Sequence, residues 1–282
     1  MNIGILHPGE MGVSVAASAI NSGNQVFWLP EGRSTKTAER AGKHGLVALN
    51  SLGVMCKECQ IILSVCPPYA AEDVAELVIG EGYTGIYLDA NAISPKRART
   101  ISEKMQSAGI DFVDGGIIGG PAWESKSTWL YLSGAKADLI TSIFSGGPLE
   151  TRIIDDEIGK ASALKMCYAA YTKGTSALLS AILAVAESNG VRNELANQWD
   201  MDDEGFSEQV NRRVRRVTAK AWRFEGEMRE IAETFGEKNI PNGFHNAAAE
   251  IYHRMAGFKD ATETPELSDV LNALLENKND PA

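Results

Sequence analysis

In the first half of the chain, short β-type runs take turns with helical runs, and no other feature restricts the fold so strongly. "NIGILH" reads as a strand and "GVSVAASAINSG" as a helix stopped at Gly23. "QVFWL" is followed by "STKTAERAGKHG", which ends at Gly45. "IILSVC" is closed by Pro67 and Pro68, and "AAEDVAELVI" is helical. "IYLDA" precedes "PKRARTISEKMQSAG", with Pro95 in its first turn and Gly109 at its end. "DFVDGGI" and "WLYLSG" add two strands. Such alternation predicts an α/β domain, a doubly wound parallel sheet with helices on both faces.

Past residue 158 the pattern changes. Residues 159–190 contain no proline and read as one long helix, apolar nearly all round, which indicates burial between domains or subunits. Val210, Val214, Val217, Ala221, Phe224, Met228, Ile231 and Phe235 then step by four and three, a helical face. "GFHNAAAEIYHRMA" and "ELSDVLNALLE" add helices, and the tail "NKNDPA" reads as frayed. The expected organisation is an α/β domain over 1–158 and an all-α domain over 159–282, joined by the long interdomain helix.

The loop "GILHPGEMG" sits between the first strand and the first helix. In the fingerprint G-x-G-x-x-G the first glycine makes a tight turn, the second lets backbone approach a pyrophosphate, and the third lets helix pack on strand. Gly9 and Gly12 fill the second and third positions; His7 stands in the first. Histidine tolerates positive φ better than most residues, and the residue before Pro8 is biased to extended backbone, so the substitution weakens the motif without breaking it. The loop, His7, Pro8, Gly9, Glu10, Met11 and Gly12, is the candidate phosphate cradle of a Rossmann-like domain, with helix N-terminal amides facing the phosphates. The alternative is a plain strand–turn–helix without a ligand.

Cofactor choice rests on "FWLPEGRS" after the second strand. An acidic residue there binds a ribose 2′-hydroxyl, and an arginine accommodates a 2′-phosphate. Glu31 and Arg33 are both present, and Arg33 is followed by Ser34 and Lys36, all phosphate donors. The expectation is NADP, with NAD as the alternative; otherwise Arg33 is a surface residue.

Bulk properties narrow the partners. A net charge of -10 argues against nucleic acid, which needs a basic footprint. No apolar run is expected to reach the length of a bilayer span, and no basic n-region precedes "NIGIL", so no membrane segment or signal peptide is expected and the expected location is the cytoplasm. Cys56 and Cys59 form "CKEC", but no second pair and no nearby histidine complete a zinc set, so these two, Cys66 and Cys167 read as reduced thiols. His7, His44, His245 and His253 are scattered; His245 and His253 share a helical spacing, but two histidines do not make a metal site, and none is expected. The run "NRRVRRVTAK" reads as a solvated helix face with ion pairs.

Four segments, in order, resemble the β-hydroxyacid dehydrogenases, the family of 3-hydroxyisobutyrate and 6-phosphogluconate dehydrogenases. "IGILHPGEMG" resembles the family's G-F-I-G-L-G-x-M-G opening, "LDANAISP" its D-x-S-T-x-x-P, "DGGIIGG" its D-A-P-V-S-G-G substrate loop, and "GKASALKM" its G-x-x-x-K. "HPGEMG", "SVCPP" and "EGRS" look like a branch whose C-terminal domain is known only as phosphogluconate-dehydrogenase-like. The resemblance implies cofactor contacts from Cys66, Pro67 and Asn91 beside the glycine loop, Arg33 and Ser34. It implies substrate contacts from Asn91, Ile118, Gly119, Gly120 and Ala169. It makes Lys165 the catalytic lysine that shuttles the hydroxyl proton while hydride moves to the nicotinamide.

The residues support that lysine independently. Ser162, Lys165, Ala169, Thr172 and Ser176 draw one narrow, mostly polar stripe down an otherwise apolar helix. A partly desolvated lysine has its neutral form favoured, as a general acid/base requires; a lysine snorkelling to solvent is the alternative. The departures concern substrate. Ala169 replaces the family's asparagine, Ile118 the serine of V-S-G-G, and Asn91-Ala92 the serine–threonine pair. The leading expectation is an NADP-dependent oxidoreductase acting on a secondary alcohol or carbonyl of a hydroxy acid or related small molecule. An imine reductase on the same scaffold and a non-catalytic nucleotide-binding regulator are the alternatives. The family's C-terminal domain reaches a partner's substrate site, which singles out Lys220, Trp222, Arg223 and Glu227. The apolar length of the interdomain helix suggests a homodimer.

Overall fold

A computed structural model describes residues 1–259 and 261–276; the tail "NKNDPA" lies outside them. The chain divides into two compact units, Met1–Met166 and Cys167–Ala282.

The N-terminal unit carries β1 (Asn2–Ile5), α1 (Glu10–Asn21), β2 (Gln25–Trp28), α2 (Thr35–Lys43), β3 (Val47–Ala48), α3 (Leu52–Glu58), β4 (Ile61–Ser64), α4 (Ala71–Gly80), β5 (Ile86–Asp89), α5 (Pro95–Ser107), β6 (Asp111–Gly119), β7 (Thr128–Ser133), α6 (Ala137–Ser142) and β8 (Glu150–Asp155). They form one eight-stranded sheet in the order β3-β2-β1-β4-β5-β6-β7-β8. The strand order reverses between β1 and β4, and the crevice beyond the carboxyl ends there is where an open α/β sheet receives a ligand. β1 to β6 are parallel, with Ile3 opposite both Val26 and Ile61.

The sheet departs from the all-parallel expectation at one edge. β7 runs antiparallel to β6, and β8 is parallel to β7. The physical reason is the short connection: Gly119 and Thr128 are paired, so the chain turns back on itself through a loop of eight residues without a crossover helix. Each face buries its own core. Ile3, Ile5, Val13, Leu63 and Leu88 lie in one cluster, and Met55, Ile62, Tyr87, Ile101 and Phe112 in the other. Strands buried on both faces read as continuous apolar runs, which is why "NIGIL" and "IILS" show no alternation.

α7 (Lys160–Ser188) is the long helix expected from the proline-free stretch, and the two compact units part within it. By length and composition it could cross a bilayer, which corrects the expectation that no apolar run approaches that length. More than half of its most apolar stretch is buried inside the protein, as in a core helix.

The C-terminal unit continues with α8 (Arg192–Asp202), α9 (Phe206–Val217), α10 (Ala221–Gly236), α11 (Gly243–Arg254) and α12 (Leu267–Leu275). The stepped apolar face from Val210 to Phe235 is split between α9 and α10 by a 3₁₀ turn over Thr218–Lys220. The arginine run is not simply a solvated face. Arg213 donates from Nε to Ser176 Oγ at 2.7 Å and from Nη2 to the Thr172 carbonyl at 2.7 Å, and Arg215 pairs with Glu266. Tyr252 of α11 donates to the Lys173 carbonyl at 2.8 Å, and Lys173 meets Glu227 of α10 at 2.6 Å. The polar residues midway along α7 are thus tied to three other helices of this unit.

Candidate active site

The cradle forms where β1 ends. The first helical bond of α1 runs from Val13 N–H to the Gly9 carbonyl at 2.9 Å, so the amides of Glu10, Met11 and Gly12 precede the ladder and can meet an anion. Gly12 is required by packing: a Cβ there would collide with the His7 carbonyl. At Gly9 a Cβ would meet nothing within 4 Å, so the backbone faces open space as a phosphate-contacting turn must.

His7 takes the first-glycine position without distorting the turn. Gly9 N–H reaches back to its carbonyl at 2.9 Å. Its imidazole is largely enclosed, and Nδ1 is buried with no hydrogen-bond partner. Burial, aided by the nearby Arg33 guanidinium, pulls its pKa down to about 4, so the ring is neutral at pH 7. A neutral ring with an unused nitrogen at the mouth of the loop fits a polar ligand there.

Arg33 closes the β2 side. Its Nη2 donates to the Leu6 carbonyl at 3.2 Å, so the guanidinium folds over the end of β1. Ser34 caps α2: its Oγ accepts from Thr37 N–H at 3.3 Å. Glu31 and Lys36 are exposed on either side.

The ends of β4 and β5 are cross-linked by Asn91. Its Oδ1 accepts from Cys66 N–H at 2.6 Å, and its Nδ2 donates to Ser64 Oγ at 3.1 Å. Asn91 therefore sets the backbone that leads through Cys66 to Pro67. The Cys66 thiol is buried, and burial pushes its pKa up to about 12, which leaves it protonated and unreactive. Below this link lies Asp89, whose Oδ1 accepts from Asn91 N–H at 2.9 Å and whose Oδ2 has no partner. Burial raises its pKa to about 7.

Lys165 is half-buried in the second turn of α7, and its Nζ donates to the Ile117 carbonyl at 2.6 Å. Close packing of helix and strand makes this reach possible. A Cβ on Gly116 would stand 2.6 Å from the Ala161 carbonyl and 3.1 Å from Lys165 Cβ. Gly119 and Gly120 follow at the strand end, both exposed, and Thr128 Oγ1 donates to the Gly120 carbonyl at 2.7 Å. Ile118 is 8% exposed. Ala169 lies one turn beyond Lys165, in the C-terminal unit, fully buried.

Apart from Ala169, then, every residue singled out from the sequence for this site falls in the N-terminal unit, at or just beyond the carboxyl ends of β1, β2, β4, β5 and β6 or on the first turns of α7. The sequence reading did not single out Asp114 and Ser133. Asp114 Oδ2 accepts from Gly159 N–H at 3.0 Å, Ser162 N–H at 3.0 Å and the Ser133 hydroxyl at 2.9 Å, and Oδ1 accepts from the Ser162 hydroxyl at 2.6 Å. The available signal was an aspartate inside an apolar strand run, a residue seldom buried without partners.

The candidates elsewhere are accounted for differently. His245 is buried against Phe235 and Phe244, while His253 is exposed and pairs with Glu225, so the two do not share a site. Among the described residues no three His, Cys, Asp or Glu side chains stand close enough to hold a metal ion. Trp222 carries Lys259 Nζ 4.3 Å and Arg223 Cζ 5.6 Å from its ring centroid. Cys56, Cys59, Cys66 and Cys167 are free thiols.

The model for the NAD-binding domain of 6-phosphogluconate dehydrogenase matches residues 2–144, and that of a domain of unknown function, DUF1932, matches residues 186–255. The chain belongs to the β-hydroxyacid dehydrogenase family. It is a dehydrogenase or reductase of that type, dependent on a nicotinamide cofactor. An uncharacterised 28.5 kDa protein of Methanothermus fervidus is 32% identical over 196 residues, covering 69% of this chain and 74% of that one. Among solved structures, a conserved protein of unknown function, described as structurally similar to 3-hydroxyacid dehydrogenases, is 26% identical, with a TM-score of 0.69 over 98% of this chain and all (100%) of that one. Two others share the fold. Mycobacterium tuberculosis 3-hydroxyisobutyrate dehydrogenase with L-serine is 16% identical, with a TM-score of 0.70 over 98% of this chain and 99% of that one. A Streptomyces aurantiacus imine reductase is 15% identical, with a TM-score of 0.55 over 98% and 100%.

Proposed function

We propose that this chain is an NADP-dependent oxidoreductase that interconverts a secondary alcohol and its carbonyl on a hydroxy acid or related small molecule, with Lys165 as general acid/base. The nicotinamide supplies the hydride acceptor. Lys165 Nζ takes the hydroxyl proton as the carbonyl forms and returns it in reduction. The observation that carries this reading is the 2.6 Å bond from Lys165 Nζ to the Ile117 carbonyl, which holds a half-buried amine at the end of β6, the strand next to β5 and Asn91. Glu10, Met11 and Gly12 amides would hold the pyrophosphate. Arg33 with the N-terminus of α2, capped by Ser34, would hold a 2′-phosphate, and Glu31 is the residue that would favour NAD instead.

Ile118 and Ala169 stand at positions where the family has polar residues, which favours a bulkier or less charged substrate than a sugar phosphate. An alcohol panel that includes 6-phosphogluconate tests this, and turnover of 6-phosphogluconate alone would refute it. Imine reduction on the same fold is the second reading, and Lys165 weighs against it. Turnover of a cyclic imine but of no alcohol would promote it above the first.

The cofactor is tested by titration with NADPH and NADH followed by nicotinamide fluorescence. NADPH should bind more tightly, and Arg33→Ala should cost NADPH about tenfold, roughly one charge-assisted hydrogen bond, and leave NADH unchanged. Tighter NADH binding would reverse the cofactor assignment. Binding of neither would remove the oxidoreductase reading.

The natural partner is a second copy. Tyr168, Tyr171, Leu178 and Val185 follow a heptad step along α7 and are 47, 70, 45 and 60% exposed, an apolar stripe of the kind that associates. Sedimentation should give a dimer, and Tyr171→Asp a monomer.

A further inference from the structure

Within the first turn of α7, the Lys160 N–H finds a local partner, the Glu157 carbonyl at 3.4 Å. Gly159 precedes the helix, and the only hydroxyl in its first turn, on Ser162, points to Asp114. An uncapped helix end leaves its first amides without partners and frays. Here the amides of Gly159, Ala161 and Ser162 are met from 45, 28 and 48 residues away. Asp114, 1% exposed, takes the amides of Gly159 and Ser162, and Ser133 takes that of Ala161 at 3.1 Å while donating to the same carboxylate. A carboxylate at a helix N-terminus also sits at the positive end of the helix dipole.

The spacing matters more than the capping. Asp114 and Ile117 are three residues apart on β6, and their partners Ser162 and Lys165 are three residues apart on α7. Between these points Gly116 lets the helix lie against the strand. The strand thus grips the helix twice in one register, once through a carboxylate and once through the lysine itself. Lys165 is in the second turn, so fraying of the first turn reaches it directly.

We propose that Asp114 is a positioning residue. It fixes the rotation and axial register of α7 on β6 and so aims the Lys165 amine at the strand end. This rests on the reading of Lys165 as general acid/base. A misplacement of about 1 Å in such a group can cost on the order of 100-fold in rate, so a clamp one turn away is a lever on catalysis.

The test needs no known substrate. Wild type, Asp114→Asn, Asp114→Ala and Ser162→Ala are labelled with acetic anhydride over a range of pH, and each lysine is quantified by mass spectrometry, with exposed Lys36 and Lys96 as internal references. The expected result is that Lys165 labels several-fold faster, relative to the references, in Asp114→Ala than in wild type. Its pH profile should shift, with Asp114→Asn between the two and NADPH affinity retained. If the variants lose thermal stability while the Lys165 rate and pH profile stay as in wild type, Asp114 only stabilises and the proposal falls. Should both Asp114 variants fail to fold, Ser162→Ala decides by the same readout, since it removes one bond to the carboxylate and leaves a good helix former. Lys165→Met is assayed in parallel on the alcohol and imine panel. Full turnover there would refute the role of Lys165 without touching the labelling result, and lost turnover with an unmoved labelling profile would refute the role of Asp114 alone.

Discussion

In the N-terminal unit Asp89 and Asp114 lie at 1% exposure, with no ion pair among the described residues, each held by N–H or O–H donors. In the C-terminal unit one nearly buried pair of opposite charges meets directly. Lys173 and Glu227 sit 2.6 Å apart with side chains 12 and 14% exposed, and Lys173 also stands 4.9 Å from the Phe224 ring centroid. A buried pair carries a desolvation cost that its mutual attraction offsets, and removing one partner leaves that cost uncompensated. An unpaired carboxylate keeps a raised pKa and an electrostatic appetite that the fold leaves partly unmet, and such groups gather at functional sites. On the proposed reading, the unit that buries carboxylates on N–H and O–H donors is the one that carries Lys165.

The most severe way to break this contrast is Lys165→Met. It should lower turnover by roughly 10²–10⁴, the usual range for losing a general acid/base, with NADPH affinity and thermal stability near wild type. Next is Lys173→Ala, which removes the 2.6 Å ion pair to Glu227 and should destabilise by about 3 kcal/mol in urea unfolding, whereas Lys173→Met with Glu227→Leu should recover most of that loss. Recovery of neither would mean that the pair orders the unit by more than its charge.

The pH response sharpens the contrast further. His7 has a folded pKa of about 4 against an ordinary 6.5, so the unfolded chain binds the extra proton between those values. Its contribution to stability is complete above pH 6.5 and falls as pH drops toward 4, by up to roughly 3 kcal/mol. Asp89 works in the opposite sense. With a folded pKa of about 7 against 3.8, it is the folded chain that holds the extra proton, so stability from this group falls as pH rises through that window. His7→Asn should flatten the acid limb of a Tm–pH profile and Asp89→Asn the neutral limb. The smallest expected effect is about 1 kcal/mol gained by Asp89→Asn at pH 8, because the amide retains the acceptor for Asn91 N–H and carries no charge to bury.

Much of this was legible beforehand, and what was missed has physical causes. The alternation made the sheet legible, because strands such as β1 and β4 are nearly continuous apolar runs and α1, α2 and α5 stop at Gly23, Gly45 and Gly109. β3 is only two residues long, and β8, "ETRIID", is largely exposed, so neither carries an apolar signature. The reversal of β7 depends on a loop rather than on strand composition, and no residue of "WLYLS" encodes direction. The 3₁₀ turn between α9 and α10 contains neither proline nor glycine, so the apolar step passes through it unbroken. In the site, the glycine loop and Lys165 show in local sequence because their spacing is local. Asp114 and Ser162 are 48 residues apart, and only the fold brings them together.

Gly116 has a consequence for anyone who surveys this chain by exhaustive substitution. The strand and the lysine helix meet there with no room for a methyl group, so each replacement displaces the amine and reads as lost activity. The position would score like a reactive residue while offering no functional group at all. Its intolerance measures a distance between two backbones, and chemical rescue by added amines, which can substitute for a missing lysine, should fail to restore it.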